Sequence, residues 1–209
     1  MDIKNIKAVI FDCDGVMFDT SEANKMFYNE LLSHFNKPVL TEEQFTKVHM
    51  FTVTSALEYL FPEMKNLDKV YEVLKNIGYN KFIKFMHMEN GFRELLVKLK
   101  SNGYIKGVAT NRTNTMEEVL HDNNLENEFD IVVTAADVEF PKPSPDQLIK
   151  IINHFKIKPH EILFIGDSEY DQLAASSAGT MFAAFKNESL SADFHLEHMN
   201  QVSEILGIN

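Results

Sequence analysis

Four polar stretches in this 209-residue chain sit where chemistry is expected. Asp12-Cys13-Asp14-Gly15 follows the apolar run Ala8 to Phe11, and Thr110-Asn111-Arg112 follows Ile105 to Ala109. Gly166-Asp167-Ser168, with Asp171 close behind, follows Ile162 to Ile165, and Lys142 stands between Pro141 and Pro143. Short continuous apolar runs read as strands buried on both faces, and in a parallel sheet ligands collect outside the carboxyl ends of the strands. Asp12 and Asp14 alone fit a turn as well as a site, because Asp-x-Asp-Gly is good turn chemistry. Asp167 changes that balance. Two carboxylates about 4 Å apart repel by about 4 kcal/mol at a surface-like dielectric, so three of them need a cation or must protonate. An oxygen-only set with room for water and a substrate oxygen suits magnesium better than calcium.

Thr110 alone would read as a helix cap, and Lys142 alone as a solvated lysine. Beside a metal site, a hydroxyl, an ammonium and free helix N-terminal amides are the donors that the equatorial oxygens of a tetrahedral phosphoryl group require. The flanking prolines restrict the backbone that carries Lys142.

These residues need a scaffold. Beyond the three runs above, Ile131 to Val133 and Met181 to Phe185 read as further strands. Helical stripes alternate with them: Phe92, Leu95, Leu96 and Leu99 stop near Gly103, and Leu148, Ile151, Ile152 and Phe155 make a second face. Strand-helix alternation of this kind predicts an α/β fold with a Rossmann-like parallel sheet. Residues 20 to 88 break the pattern. Ala23, Phe27, Leu31 and Phe35 recur every fourth position, Thr41 with Gln44 forms a capping box, and Leu67, Val70, Tyr71, Leu74 and Ile77 make an amphipathic face closed by Gly78. The expected organisation is a core of residues 1–17 and 90–209 with a small helical cap domain, 18–89, inserted after the first strand through short hinges.

Composition narrows the partners. Apolar residues form 44% of the chain and charged residues 24%, as in ordinary globular proteins. A formal charge of −11 argues against nucleic acid and anionic membrane surfaces, while leaving room for a small anion held by local cations. Cys13 is the only cysteine, so no intrachain disulfide can form. The first apolar run is broken at once by Asp12, far short of a signal sequence or a membrane span, and a cytoplasmic location is the expectation. The oligomeric state is open. Seven histidines, at 34, 87, 121, 154, 160, 195 and 198, show no ligand spacing.

Taken in order, Asp12-Cys13-Asp14-Gly15-Val16, Thr110-Asn111, Lys142 and Gly166-Asp167-Ser168 through Asp171 resemble the four motifs of the haloacid dehalogenase superfamily, in its phosphatase branch. The helical insertion is similar to the small α-helical cap of phosphoglycolate phosphatases and β-phosphoglucomutases. The resemblance implies a magnesium-dependent phosphatase acting on a small-molecule phosphate monoester through an aspartyl phosphate. Asp12 would be the nucleophile and Asp14 the acid and base, with Thr110, Asn111 and Lys142 holding the transferring group. Magnesium would sit among Asp12, the main-chain carbonyl of Asp14 and Asp167, with Asp171 and Ser168 behind them orienting metal water or Lys142.

Departures from the family pattern sharpen the expectation. Halogen-displacing and phosphonate-cleaving relatives lack the second aspartate, so Asp14 favours a phosphate ester. Sugar phosphomutases of this cap type carry a histidine where this chain has Asn24; a phosphomutase, and a non-catalytic binding module, are the alternatives. The cap-loop stretch Val48-His49-Met50-Phe51-Thr52 lacks the glycine common in phosphatases of this type. Asn24, His49 and Thr52, with Lys47 and Thr54, are the cap residues expected to choose the leaving group.

Overall fold

In the computed structural model, which describes residues 3–49 and 51–208, the chain divides into two compact units. One comprises residues up to Asp19 and from Met88 onward, and the other is Thr20–His87. Met50, in the cap-loop stretch, lies outside the described residues.

The first unit is built on a parallel six-stranded sheet. Its strands are β1 (Ala8–Phe11), β4 (Ile105–Ala109), β5 (Ile131–Val133), β6 (Ile162–Gly166), β7 (Met181–Phe185) and β8 (Phe194–Leu196), in the order β5-β4-β1-β6-β7-β8. Two short strands lie outside this sheet: β2 (Phe18–Asp19), where the chain leaves the unit, and β3 (His87–Met88), where it returns. Every residue of β1, β6 and β7 is buried, as the unbroken apolar runs require. β1 pairs with β4 on one side (Ala8 opposite Ile105) and with β6 on the other (Ala8 opposite Ile162). The chain thus winds away from β1 first in one direction and then in the other, and β1 borders the topological switch point, where the carboxyl ends of neighbouring strands open a crevice.

Both faces of this sheet are covered. Ala8 and Ile10 of β1 join Phe164, Leu148 and Ile151 of α7 (Asp146–Phe155), and Ala174 and Ala175 of α8 (Glu169–Ala178), in one cluster. Phe11 points the other way, its ring edge-on to Phe92 of α5 (Phe92–Ser101) at 5.1 Å between centroids. α6 (Met116–Asp122) and α9 (Asn200–Leu206) complete the unit. Gly107 in β4 is a packing requirement, since a Cβ there would stand 2.8 Å from Ile10 Cδ1 and 2.9 Å from Ile131 Cγ2. β8 and α9 are not apparent in the sequence: β8 has three residues, one of them the exposed His195, too short a run to show a period.

The second unit contains α1 (Ser21–His34), α2 (Glu42–His49), α3 (Val53–Leu60) and α4 (Asp68–Ile77), followed by a 3₁₀ segment, Asn80–Phe85. Tyr28, Leu31 and Leu32 of α1 meet Val48, Leu57, Leu60, Phe61 and Val70 in its core. The Thr41–Gln44 capping box is present in both directions, Thr41 N–H donating to Gln44 Oε1 and Gln44 N–H to Thr41 Oγ1. Gly78 closes α4 at φ 67°, in the region a side chain disfavours.

Candidate active site

Ladder hydrogen bonds carry the ends of the central strands into the site. Asp12 N–H donates to Ile165 C=O at 2.9 Å, and Thr110 N–H to Val133 C=O at 3.0 Å, so both residues are placed by sheet backbone before their side chains act. The chain then turns sharply: Met17 and Phe18 N–H donate to Cys13 C=O, and Gly15 N–H to Phe18 C=O. Gly15 adopts φ 75°, and a Cβ there would lie 2.0 Å from Asp167 Oδ2. Only glycine admits the Asp167 carboxylate so close to this turn. Gly166 does the same for Asp171, whose Cβ would be 2.3 Å from a Cβ at 166.

Lys142 is the hub. Its side chain is 2% exposed, and its ammonium donates to Ala109 C=O at 2.9 Å and to Asp171 Oδ1 at 2.6 Å while standing 2.8 Å from Asp12 Oδ1. The contact with Asp12 is a buried ion pair at hydrogen-bond distance. Burial works to lower the Lys142 pKa, but Asp12 and Asp171 outweigh it and hold the ammonium above its ordinary value. Asp12 is pushed up to about 7, chiefly by burial, against the pull of Lys142 and with help from Asp171 and Asp14. Asp167 is driven well above the usual carboxylate range, first by burial and then by Asp12 and Asp171.

One ammonium is thus too little cation for this cluster. Oxygens of Asp12, Asp167 and Asp171 can be chosen within 4.8 Å of one another, a set that a divalent ion could bridge. Asp171 is already spent on its neighbours. Its Oδ1 accepts from Lys142, and its Oδ2 accepts from Ser168 N–H at 3.0 Å and from the Ser168 hydroxyl, closing the N-terminal capping box of α8. That leaves Asp12 and Asp167 as the carboxylates suited to a hard cation, with Gly15 admitting the Asp167 carboxylate close to the turn.

The remaining sequence-derived residues fall into two groups. Thr110 is buried beside this cluster, its Oγ1 accepting from Arg112 N–H at 3.2 Å. Asn111 turns its amide to Lys142 C=O at 2.9 Å, so it secures the lysine backbone. Asp14 is gripped by Arg112 in two parallel hydrogen bonds, Nε to Oδ2 at 2.8 Å and Nη2 to Oδ1 at 2.6 Å. In the helical unit, Asn24 accepts from Tyr79 OH at 2.6 Å and donates to Thr20 Oγ1 at 3.3 Å, with His49 Nδ1 3.4 Å from its amide nitrogen. Thr52 caps α3 by accepting from Ser55 N–H, Thr54 accepts from Tyr71 OH, and Lys47 pairs with Glu43 one helical turn away. Cys13 is fully buried, and burial, then the neighbouring Asp14, pushes its thiol well above the ordinary value.

Three residues of this network carry no mark in the motifs. Gln147, wholly buried in the first turn of α7, donates to Thr110 C=O at 2.6 Å and accepts from Lys142 N–H at 3.1 Å, tying together the two residues suited to a phosphoryl group. Its signal in the sequence is a polar residue four positions before Ile151 on an otherwise apolar stripe. Asn187, just past β7, donates to Asp167 C=O at 2.8 Å, and is marked only by following an apolar run. Arg112 is the third: it ends the polar stretch after β4, but the motif there is Thr110-Asn111 and gives it no role.

Comparison with known proteins shows the family and the fold. The model of the haloacid dehalogenase-like hydrolase family matches residues 9–185. The pyrophosphatase PpaX of Bacillus cereus (strain B4264) is 30% identical over 215 residues, covering 96% of each chain. A crystal structure of a subfamily IA hydrolase of the superfamily from Geobacter sulfurreducens is 41% identical, covers 97% of each chain and superposes with a TM-score of 0.85. CbbY from Rhodobacter sphaeroides, solved in complex with phosphate, shares the fold with a TM-score of 0.76 at 18% identity, over 97% of this chain and 99% of that one.

Proposed function

The chain belongs to the haloacid dehalogenase-like hydrolases, and on that premise we propose that it is a magnesium-dependent phosphatase that cleaves a small-molecule phosphate monoester through an aspartyl phosphate on Asp12. The observation that carries the reading is the buried Asp12 carboxylate at the tip of β1, with the Lys142 ammonium 2.8 Å away and an Asp167 oxygen within 4.8 Å of it.

Asp12 attacks phosphorus in line; a new P–O bond forms to its carboxylate as the bond to the leaving oxygen breaks. Asp14 supplies the proton that the leaving oxygen takes up. It then accepts a proton from the water that attacks phosphorus, and the bond to Asp12 breaks to release inorganic phosphate. Thr110 and Lys142 donate to the non-bridging oxygens through both steps, from positions fixed by Gln147 and Asn111. Asp12, Asp167 and the main-chain carbonyl of Asp14 would hold magnesium, which when bound supplies positive charge to offset that of the carboxylates and the phosphoryl group. Asp171 and Ser168 keep Lys142 and the start of α8 in place.

Leaving-group choice is assigned to the helical unit, where Asn24 and His49 share a polar cluster with Tyr79. Thr52, already occupied as a helix cap, would contribute through its backbone position. The relatives named as pyrophosphatases support a compact, highly charged substrate. No helix among the described residues is long and apolar enough to cross a membrane. A panel of phosphate esters and pyrophosphate, assayed for released phosphate with and without magnesium, tests the proposal: turnover that survives excess chelator would defeat it, and an isomerised sugar phosphate in place of free phosphate would make the protein a mutase.

A further inference from the structure

Asp14 is held differently from the other site carboxylates. Asp12 and Asp171 share the buried Lys142, whereas the Asp14 side chain is 40% exposed and is held by the guanidinium of Arg112, itself 8% exposed. A half-exposed aspartate on a turn has several rotamers open to it, and a two-pronged Arg fork selects one. The fork itself has little freedom. A third N–H, at Nη1, donates to Thr115 Oγ1 at 3.1 Å; the Arg112 main-chain N–H donates to Thr110 Oγ1, and its C=O accepts from Ala135 N–H at 3.0 Å. The position of the Asp14 carboxylate is therefore dictated from the end of β4, across from the strand that bears it.

We propose that Arg112 is a positioning residue for turnover, setting the Asp14 carboxylate in place for both proton transfers and acting on the rate only through Asp14. This rests on Asp14 being the acid and base. The bland alternative is a partly exposed ion pair that contributes stability, and such pairs contribute little. Proton transfer, by contrast, depends steeply on placement, and a misplacement of about 1 Å can cost about a hundredfold in rate. Lysine could keep the charge but not the fork, since an ammonium is a point donor without the fixed planar geometry.

The test is a double-mutant cycle on full-length protein with magnesium and p-nitrophenyl phosphate, with melting temperature measured for every variant. R112Q should lower kcat by about ten- to hundredfold, with KM falling alongside it because p-nitrophenyl phosphate still forms the intermediate and only its hydrolysis slows, and free guanidinium should restore part of the loss in R112A but none in D14N. Adding R112Q to D14N should cost almost nothing more, because the group that Arg112 positions is already gone. R112K should retain the fold and still lose most of the kcat, and it carries the cycle if R112Q does not fold. A full R112Q loss persisting in the D14N background, wild-type kcat in R112K, or an effect confined to KM would each overturn the inference. Wild-type turnover by D14N would have a different meaning: it would remove the acid and base assignment itself, and this inference with it.

Discussion

The strand ends of the core unit and the polar cluster of the helical unit use similar residue types for opposite kinds of order. At the strand ends, several functional residues are fixed by other polar groups that are themselves fixed: the Lys142 ammonium by Asp171 and Ala109, the Thr110 main chain by Gln147, and the Asp14 carboxylate by Arg112. In the helical unit the core is apolar, and polar side chains such as the Thr52 cap or the Lys47–Glu43 pair along one helix lie at the exposed surface. Rigid, mutually braced polar groups are what a preorganised reaction centre needs. Exposed caps and surface pairs leave a surface free to vary. The difference predicts that substitutions at the strand ends change the rate on every substrate, whereas those in the helical unit change which substrate is preferred.

The largest effect should come from Asp12. D12N keeps the shape but removes the nucleophile, and activity should fall by at least about a thousandfold, or roughly 4 kcal/mol of barrier. Wild-type turnover by D12N would refute the assignment. G15A should come next. It combines an unfavourable φ of 75° with a collision at 2.0 Å against Asp167 Oδ2, so titration calorimetry should find magnesium binding weakened severalfold or lost. Unchanged affinity would mean that Gly15 serves the turn alone.

A smaller effect arises from charge. In the metal-free protein Asp12 is pushed up to about 7 from 3.8, so between those values the folded chain holds a proton that the unfolded chain has released. This contribution is fully present below about pH 4 and is lost as the pH rises through about 7. Magnesium should therefore raise the melting temperature more at pH 8 than at pH 5.5, and the comparison with chelator at each pH cancels the titrations elsewhere. An equal rise at both values would indicate that the carboxylate cluster is not where the ion binds.

Legibility in the sequence divides along the same line. Asp12, Thr110 and Asp167 are legible because buried strands leave unbroken apolar runs, and a polar residue placed just after such a run in a parallel sheet faces the crevice. The roles of Gln147 and Arg112 are not, although Arg112 stands in a polar stretch just after β4, because they depend on partners 37 and 98 positions away, a pairing that no local period encodes. In the helical unit, helices are legible by apolar spacing and by the Thr41–Gln44 box, but the meeting of Asn24 with Tyr79, 55 positions apart, is not.

The smallest effect should come from that last cluster. N24A, H49A and Tyr79→Phe should alter relative rates among large esters while leaving p-nitrophenyl phosphate nearly untouched, since the small ester needs only the strand-end groups. Equal losses on small and large substrates would show that the cluster supports the fold instead of choosing the substrate.

The central claim is a covalent intermediate, and the most direct test is to trap it. D14N should be phosphorylated by an activated ester, because loss of the leaving group needs little proton donation, but should hydrolyse the intermediate slowly. Acid quench during turnover, with peptide mass spectrometry of the quenched chain, should place a phosphoryl group on Asp12 in D14N and none on the chain in D12N. A phosphoryl group on another residue, or an unmodified Asp12 while phosphate is being released at the full rate, would contradict the account.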